Sequence, residues 1–180
     1  MKAFIVAVAM LVAMAGCGKD KKITGPIPGP GYAVPSTPFD VLHNLSLAYS
    51  SRDSSKYKAA FDNAYLGTSF DNSGGTIDTF YRFNEAQHIS ALARSNSITN
   101  VTLQFPPSMV RFSDAADPPG WATVQFGPGS GFNVEIDDSP SGYFLSRNVS
   151  EEFKFVPTAP DSTSPTDTTW KIIRWTEINP

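Results

Sequence analysis

At 180 residues the chain is long enough for one domain with its own core and hardly long enough for two. Its 41% hydrophobic, 12% aromatic and 17% charged residues are ordinary for a globular protein, and 15 prolines with 13 glycines imply many turns. A net charge of −3 with scattered lysines supplies neither the concentrated basic footprint that nucleic acid requires nor a polybasic patch for anionic lipid.

Lys2 precedes an apolar run, Ala3 to Ala15, that ends at Gly16-Cys17. These 13 residues are too few for a membrane-spanning helix, which needs about twenty, and fit the core of a signal peptide. Met14-Ala15-Gly16-Cys17 resembles the bacterial lipobox, with Met14 where leucine is usual. The resemblance implies a signal peptide over 1–16, cleavage before Cys17, and fatty acylation of that cysteine to anchor the protein in a membrane of the cell envelope. Gly18 in place of aspartate implies the outer membrane, with the domain facing the periplasm. Cys17 is the only cysteine, so no intrachain disulfide can form, and a thiol committed to lipid needs no partner. Residues 17–36, rich in proline and glycine and without a hydrophobic period, read as a flexible lipidated tether ahead of a domain over 37–180.

Thr37 is placed to cap a helix, with Pro38 at its first position and Asp40 three residues after the cap. Val41, Leu42, Leu45, Ala48 and Tyr49 then recur with a helical period. Asp53 is placed to cap a second helix whose stripe would be Tyr57, Ala60, Phe61 and Ala64, ending at Gly67. Ile77, Thr79, Tyr81 and Phe83 alternate as in a strand, and a third helix is predicted from Asn84 to Arg94 with Ala86, Ile89, Leu92 and Ala93 inward. Strand-like runs follow at Val101–Phe105, Ala122–Phe126 and Phe132–Ile136, and as one long run carrying Tyr143, Leu145, Val149, Phe153 and Phe155. The last strand, Thr169–Ile178, has large apolar groups on both faces and is expected to be central and covered on both sides.

Helices first and long strands after make an α+β order. The opening TPFDVLHNLSLAYSSRDSSKYKAAFDNAYLGTSF resembles the start of NTF2-like (SnoaL-like) domains, FNEAQHISALAR is similar to their third helix, and WKIIRWTE to their final strand. The resemblance covers residues 37 to 180 and implies a cone, with three helices packed on a strongly curved antiparallel sheet around a pocket. It also implies pocket-lining roles for Tyr49, Tyr65, Tyr81, His88, Trp170 and Trp175, with Asp62 and Asp78 as further candidates; the two tryptophans lie on opposite faces of one strand, so one is expected to border the cavity and the other to pack under a helix. Some members of that superfamily transfer protons with a pocket carboxylate, tyrosine or histidine, but no residue here matches a catalytic motif of theirs. His43 is expected to face solvent.

Other motifs carry no chemistry. Ser55 to Lys58 spells S-x-x-K, in a chain too short for penicillin-binding enzymes and without their companion motifs. Gly127 to Gly131 joins two strands and reads as a turn. Asp137-Asp138 and Glu151-Glu152 are neighbours that point to opposite faces of a strand, and one cysteine with two distant histidines cannot build a zinc site, so neither metal nor cofactor is expected. Residues 157–169 read as a long polar loop. The functional expectation is a membrane-anchored, non-catalytic module that binds a small hydrophobic ligand or an envelope protein. The alternative is a small acid–base enzyme (isomerase, dehydratase or hydrolase). A third arrangement is a homodimer through the sheet face.

Overall fold

The computed structural model describes residues 31–71, 76–139, 142–147, 149–158 and 168–179. The signal peptide, Cys17, most of the tether and most of the polar 157–169 loop lie outside the described residues.

Helix α1 (Pro38–Ser50) starts as the sequence dictates. The Thr37 hydroxyl accepts from the Asp40 amide at 3.2 Å while the Asp40 carboxylate accepts from the Thr37 amide at 2.8 Å, a reciprocal capping box. The folded part begins earlier than Thr37, however. Asn44 clamps the backbone of Ala33 through two 2.8 Å bonds, and the Trp170 amide donates to the Pro35 carbonyl, so 31–36 are docked rather than part of a free tether. After α1 the chain reverses at Arg52, whose φ of 56° is held by a guanidinium bond to the Ile98 carbonyl at 2.8 Å. Asp53 then caps α2 (Ser54–Ala59).

Here the expected second helix is corrected. It stops at Ala59, and Phe61–Asp71 is strand β1, so the stripe continued through Phe61 and Ala64 is not helical. A spacing of four, as between buried Phe61 and Tyr65, satisfies both a helix and a strand, and local sequence does not separate them. Strand β9 (Thr169–Asn179) decides the matter. The Ile172 amide donates to the Ala60 carbonyl at 2.9 Å, and β1 then pairs with β9 in parallel across an irregularity between Phe61 and Leu66.

Strand β2 (Thr76–Tyr81) pairs antiparallel with β1 and runs directly into α3 (Arg82–Arg94), where the Asn84 side chain accepts from the Tyr81 amide at 2.9 Å. The remaining strands are β3 (Ile98–Gln104), β4 (Arg111–Phe112), β5 (Ala122–Phe126), β6 (Asn133–Asp138), β7 (Gly142–Arg147) and β8 (Ser150–Thr158). The run read as one strand through 143–155 is two. Strand β7 pairs with β6 in a three-stranded sheet, β3-β6-β7, whereas β8 lies in a six-stranded sheet, β2-β1-β9-β8-β5-β4. The apolar alternation of the sequence carries straight through the crossover and so hides it.

Among the described residues, all pairings but β1 with β9 are antiparallel. The two sheets and three helices make the α+β cone expected from the sequence. Strand β9 is central, and its neighbours Ile172 and Ile173, on opposite faces, are 0% and 5% exposed. Val41, Leu42 and Leu45 of α1 are fully buried, and α1 packs against β3 and β9. Phe153 is the hub of an aromatic cluster, with ring centroids 4.8 Å from Trp175, 5.6 Å from Phe105 and 5.9 Å from Phe126. Lys154, bonded to Asp117 at 2.8 Å and Asp114 at 3.0 Å, pins the 113–121 loop to β8. No helix among the described residues is long and apolar enough to cross a membrane.

Candidate functional site

Between α3, the larger sheet and the inner face of β6 lies an open cavity of about 770 Å³. Its walls are mainly apolar, with Leu103, Phe132, Val134 and Ile136 on one side and Phe80 of β2 on another. The polar groups fall into three sets, each positioned by a different element.

The first set centres on Glu85. In α3, Glu85, Ile89 and Leu92 share one stripe, so the carboxylate that occupies the first place of an apolar face is carried inward. There it accepts from Tyr65 Oη at 2.8 Å and from Tyr57 Oη at 3.3 Å. Burial raises the Glu85 pKa, and the two phenol bonds, which favour the charged form, pull it only part of the way back. Burial and then Glu85 itself raise both phenols as well, so Tyr57 and Tyr65 remain protonated donors. Gly67 makes room for this contact, because a Cβ there would overlap the Tyr65 hydroxyl.

The second set is Tyr49 and His88, whose Oη and Nε2 are 3.3 Å apart. Burial lowers the His88 pKa, and burial followed by Glu85 raises that of Tyr49. A neutral imidazole that takes a hydrogen bond from a neutral phenol satisfies both shifts.

The third set is on the sheet. Glu151 is 1% exposed because Glu151, Phe153 and Phe155 alternate along β8 toward the interior. Its Oε2 accepts from the indole Nε1 of Trp175 on β9. Glu177 lies directly across the strand pair. Burial pushes the Glu151 pKa up to about 9; the Trp175 bond opposes the shift and the Glu177 charge adds to it. Glu151 is therefore a neutral carboxylic acid at pH 7 that is able to donate a hydrogen bond or a proton into the cavity.

Of the residues singled out from sequence, Tyr49, Tyr65, His88 and Trp175 line this cavity. Tyr81 does not: it is 60% exposed, because the residue of β2 that faces the cavity is Phe80, of the opposite parity. Trp170 is buried elsewhere, beneath Arg111, whose guanidinium carbon lies 4.5 Å from the ring centroid. Asp62 turns back to its own strand and accepts from the Ala64 amide at 2.9 Å, and Asp78 is exposed. His43 sits away from the cavity, with Nε2 3.3 Å from the Gly31 carbonyl oxygen. Sequence reasoning passed over Tyr57 as a site residue, and Glu85, Glu151 and Glu177 as well. The signal for Glu85 was its helical spacing from Ile89 and Leu92, and for Glu151 its even spacing from Phe153.

No family model and no curated protein matches the sequence. Solved structures do. A protein assigned as the β subunit of an aromatic-ring-hydroxylating dioxygenase from Novosphingobium aromaticivorans is similar at a TM-score of 0.54 and 11% identity, over 80% of this chain and 87% of that one. ActVI-ORFA from Streptomyces coelicolor is similar at 0.52 and 8% identity, over 77% of this chain and 91% of that one. An NTF2-like protein with a cystatin-like fold, also from Novosphingobium aromaticivorans, gives 0.46 and 11% identity over 77% of each chain. The likeness at these identities is one of fold: the α+β cone of three helices and a curved, mainly antiparallel sheet.

The state of Glu151 has a measurable consequence. The unfolded chain releases this proton near the ordinary value of 4.5, whereas the fold keeps it to about 9. Within that window the unfolded state binds fewer protons than the folded one, so stability falls as pH rises, by up to about 1.4 kcal/mol per pH unit. Glu85 acts in the same sense. Glu151→Gln keeps an acceptor for Trp175 and removes the titration. Urea unfolding between pH 5 and 9 should give the variant a shallower loss of stability and a higher stability than the parent at pH 8. Parallel curves would mean that Glu151 is charged in the fold.

Proposed function

We propose that the domain binds a small, mainly apolar molecule in the cone cavity while held to a membrane of the cell envelope by lipid on Cys17. The observation that carries the binding half is the cavity itself: about 770 Å³, open to solvent, apolar over most of its wall and fitted with a few convergent polar groups. That is the size and make-up of small-molecule sites in general. A cone filled by its own side chains would have suited a purely structural module better.

Native mass spectrometry of the folded domain, after incubation with a metabolite extract of its host, tests this reading. Ala91 lines the mouth and is exposed, so Ala91→Trp obstructs the entrance without loading the core. A molecule retained by the parent and lost in Ala91→Trp is the expected result. Retention by neither, or equally by both, overturns the reading.

A second reading, proton-transfer catalysis in the same cavity, is favoured by one observation: Glu85, Glu151 and His88, all with shifted acid–base behaviour, line one space. The absence of an acid–base pair in the sequence was the ground for expecting a non-catalytic module, and these residues remove that ground. Exchange of a carbon-bound hydrogen of the retained molecule with deuterium from solvent, lost in Glu151→Gln or His88→Ala, would select catalysis. Retention without exchange would leave binding alone.

The lipid half stands on the Met14-Ala15-Gly16-Cys17 sequence. Cys17→Ser is expected to abolish incorporation of labelled fatty acid and to leave an unprocessed precursor in whole cells. Persistent labelling would refute it.

A further inference from the structure

The rim of the cavity carries aromatic groups left in water. Phe80 of β2 lines the cavity and is 40% exposed. Phe83 opens a stripe of α3 that continues, four residues at a time, through Gln87 and Ala91, both exposed and both lining the cavity. Phe83 itself is 62% exposed, and Tyr81, the residue that precedes α3, is 60% exposed. Apolar side chains scattered singly over a surface need no explanation, but a group of them at the mouth of a cavity marks a contact surface.

The chain leaves the domain toward Cys17 close to this rim. Tyr32 is seated against α2, with its ring 5.3 Å from Lys56 Nζ and its hydroxyl 3.3 Å from Ser51 Oγ. At the end of the same helix the Lys58 carbonyl accepts from Arg82 Nε at 3.1 Å, which fixes the junction of β2 with α3 there. The six residues of α2 span about 9 Å, so the exit of the chain and the aromatic junction are neighbours on the surface. Gly31 follows Cys17 by 14 residues, which reach at most about 50 Å when fully extended. Lipid on Cys17 therefore makes contact between this region and the bilayer intramolecular, and a weak patch suffices for it. Lys56 and Lys58 are exposed, and among the described residues neither they nor Arg82 are paired with a carboxylate, the ion pairs all belonging to Lys154. Asp53, Asp62 and Asp78 keep the neighbourhood from being polybasic, so the aromatic groups would carry a contact and the cations would orient it.

We propose that the rim formed by Phe80, Tyr81 and Phe83 rests on the phospholipid surface to which the chain is anchored, and that the mouth of the cavity opens at the membrane interface. Aromatic side chains concentrate at that interface, where the ring meets hydrocarbon and a phenol tip such as that of Tyr81 meets the headgroups. Lysine and arginine beside them place an apolar stem along the surface and a charge at the phosphates. The inference rests on lipid at Cys17 and adds which face of the domain meets the membrane. Apolar molecules partition from water into the same layer, which would bring them to the mouth of the cavity.

Tryptophan placed at the rim tests the contact. The lipidated chain, as parent, Phe83→Trp or Val110→Trp, is incorporated into vesicles of phosphatidylethanolamine and phosphatidylglycerol, with or without brominated phosphatidylcholine, which quenches an indole that touches lipid. Both positions are exposed, so neither substitution loads the core, and Val110 precedes β4, at the opposite edge of the six-stranded sheet from β2. The parent supplies the background of its own tryptophans. Brominated lipid is expected to remove most of the emission that Phe83→Trp adds to the parent and to spare the emission that Val110→Trp adds. Equal quenching of the two, or of neither, in vesicles that carry the protein overturns the docking and leaves the anchor standing. Shielding of the residue-83 indole from acrylamide without quenching by lipid, together with a dimeric mass, also overturns it and assigns the rim to a second copy of the chain. Failure of the chain to sediment with the vesicles counts against the anchor itself and takes this inference with it.

Discussion

The parallel pairing of β1 with β9 is the constraint on which the rest of the architecture depends. The bond from the Ile172 amide to the Ala60 carbonyl takes hold of the backbone one residue after α2 ends, and the Leu66-to-Arg174 register continues it. That pairing converts a segment with helical spacing into a strand and places β9 in the middle of the larger sheet. It also sets the cavity. Tyr65 and Gly67 on β1, Glu151 on β8, and Trp175 and Glu177 on β9 become neighbours only because β9 lies between β1 and β8. Helix α3 returns over the same strands and delivers Glu85 to Tyr65.

The energetic tension of the fold is concentrated in the same place. Most of the interior is what a stable core requires: Leu42, Leu45, Phe61, Phe153 and Phe155 are buried without any polar atom to satisfy. Glu151 is the contrary case. Burying a carboxyl group costs several kcal/mol if it stays charged, so the group keeps its proton instead. A chain selected only for stability would carry a leucine or methionine at that position of β8. Local compromise of stability for a ready acid or hydrogen-bond donor is a common property of functional sites.

How legible this was in the sequence depends on the range of the interaction concerned. The α1 cap was readable because Thr37 and Asp40 make their bonds within one turn. The central position of β9 was readable because both of its faces are apolar. The end of α2 was not, since Phe61 and Tyr65 fit either period and the deciding partner, Ile172, lies far along the chain. The division of the 143–155 run between two sheets was hidden for the same reason. At the site, Tyr49, Tyr65, His88 and Trp175 were legible as aromatics and an imidazole on inward stripes. Tyr81 was misplaced by a single step of strand parity, since its neighbour Phe80 is the residue that turns to the cavity. Glu85 was passed over because a carboxylate in an apolar pattern looks like an interruption, and Glu151 was set aside with Glu152 as a pair split between two faces, when in each case the pattern itself says that the carboxylate is buried.

The account turns on whether Glu151 is neutral inside the cavity. Carbon-13 NMR of the glutamate carboxyl resonances across pH 4 to 10, with Glu151 assigned by comparison with its glutamine variant, reads this directly. The expected result is a Glu151 resonance that remains that of the protonated acid through neutral pH and titrates near 9, with Glu85 also displaced upward. A Glu151 midpoint near the ordinary glutamate value of 4.5 would contradict the account, because the cavity would then hold an unshielded charge that the structure does not provide for.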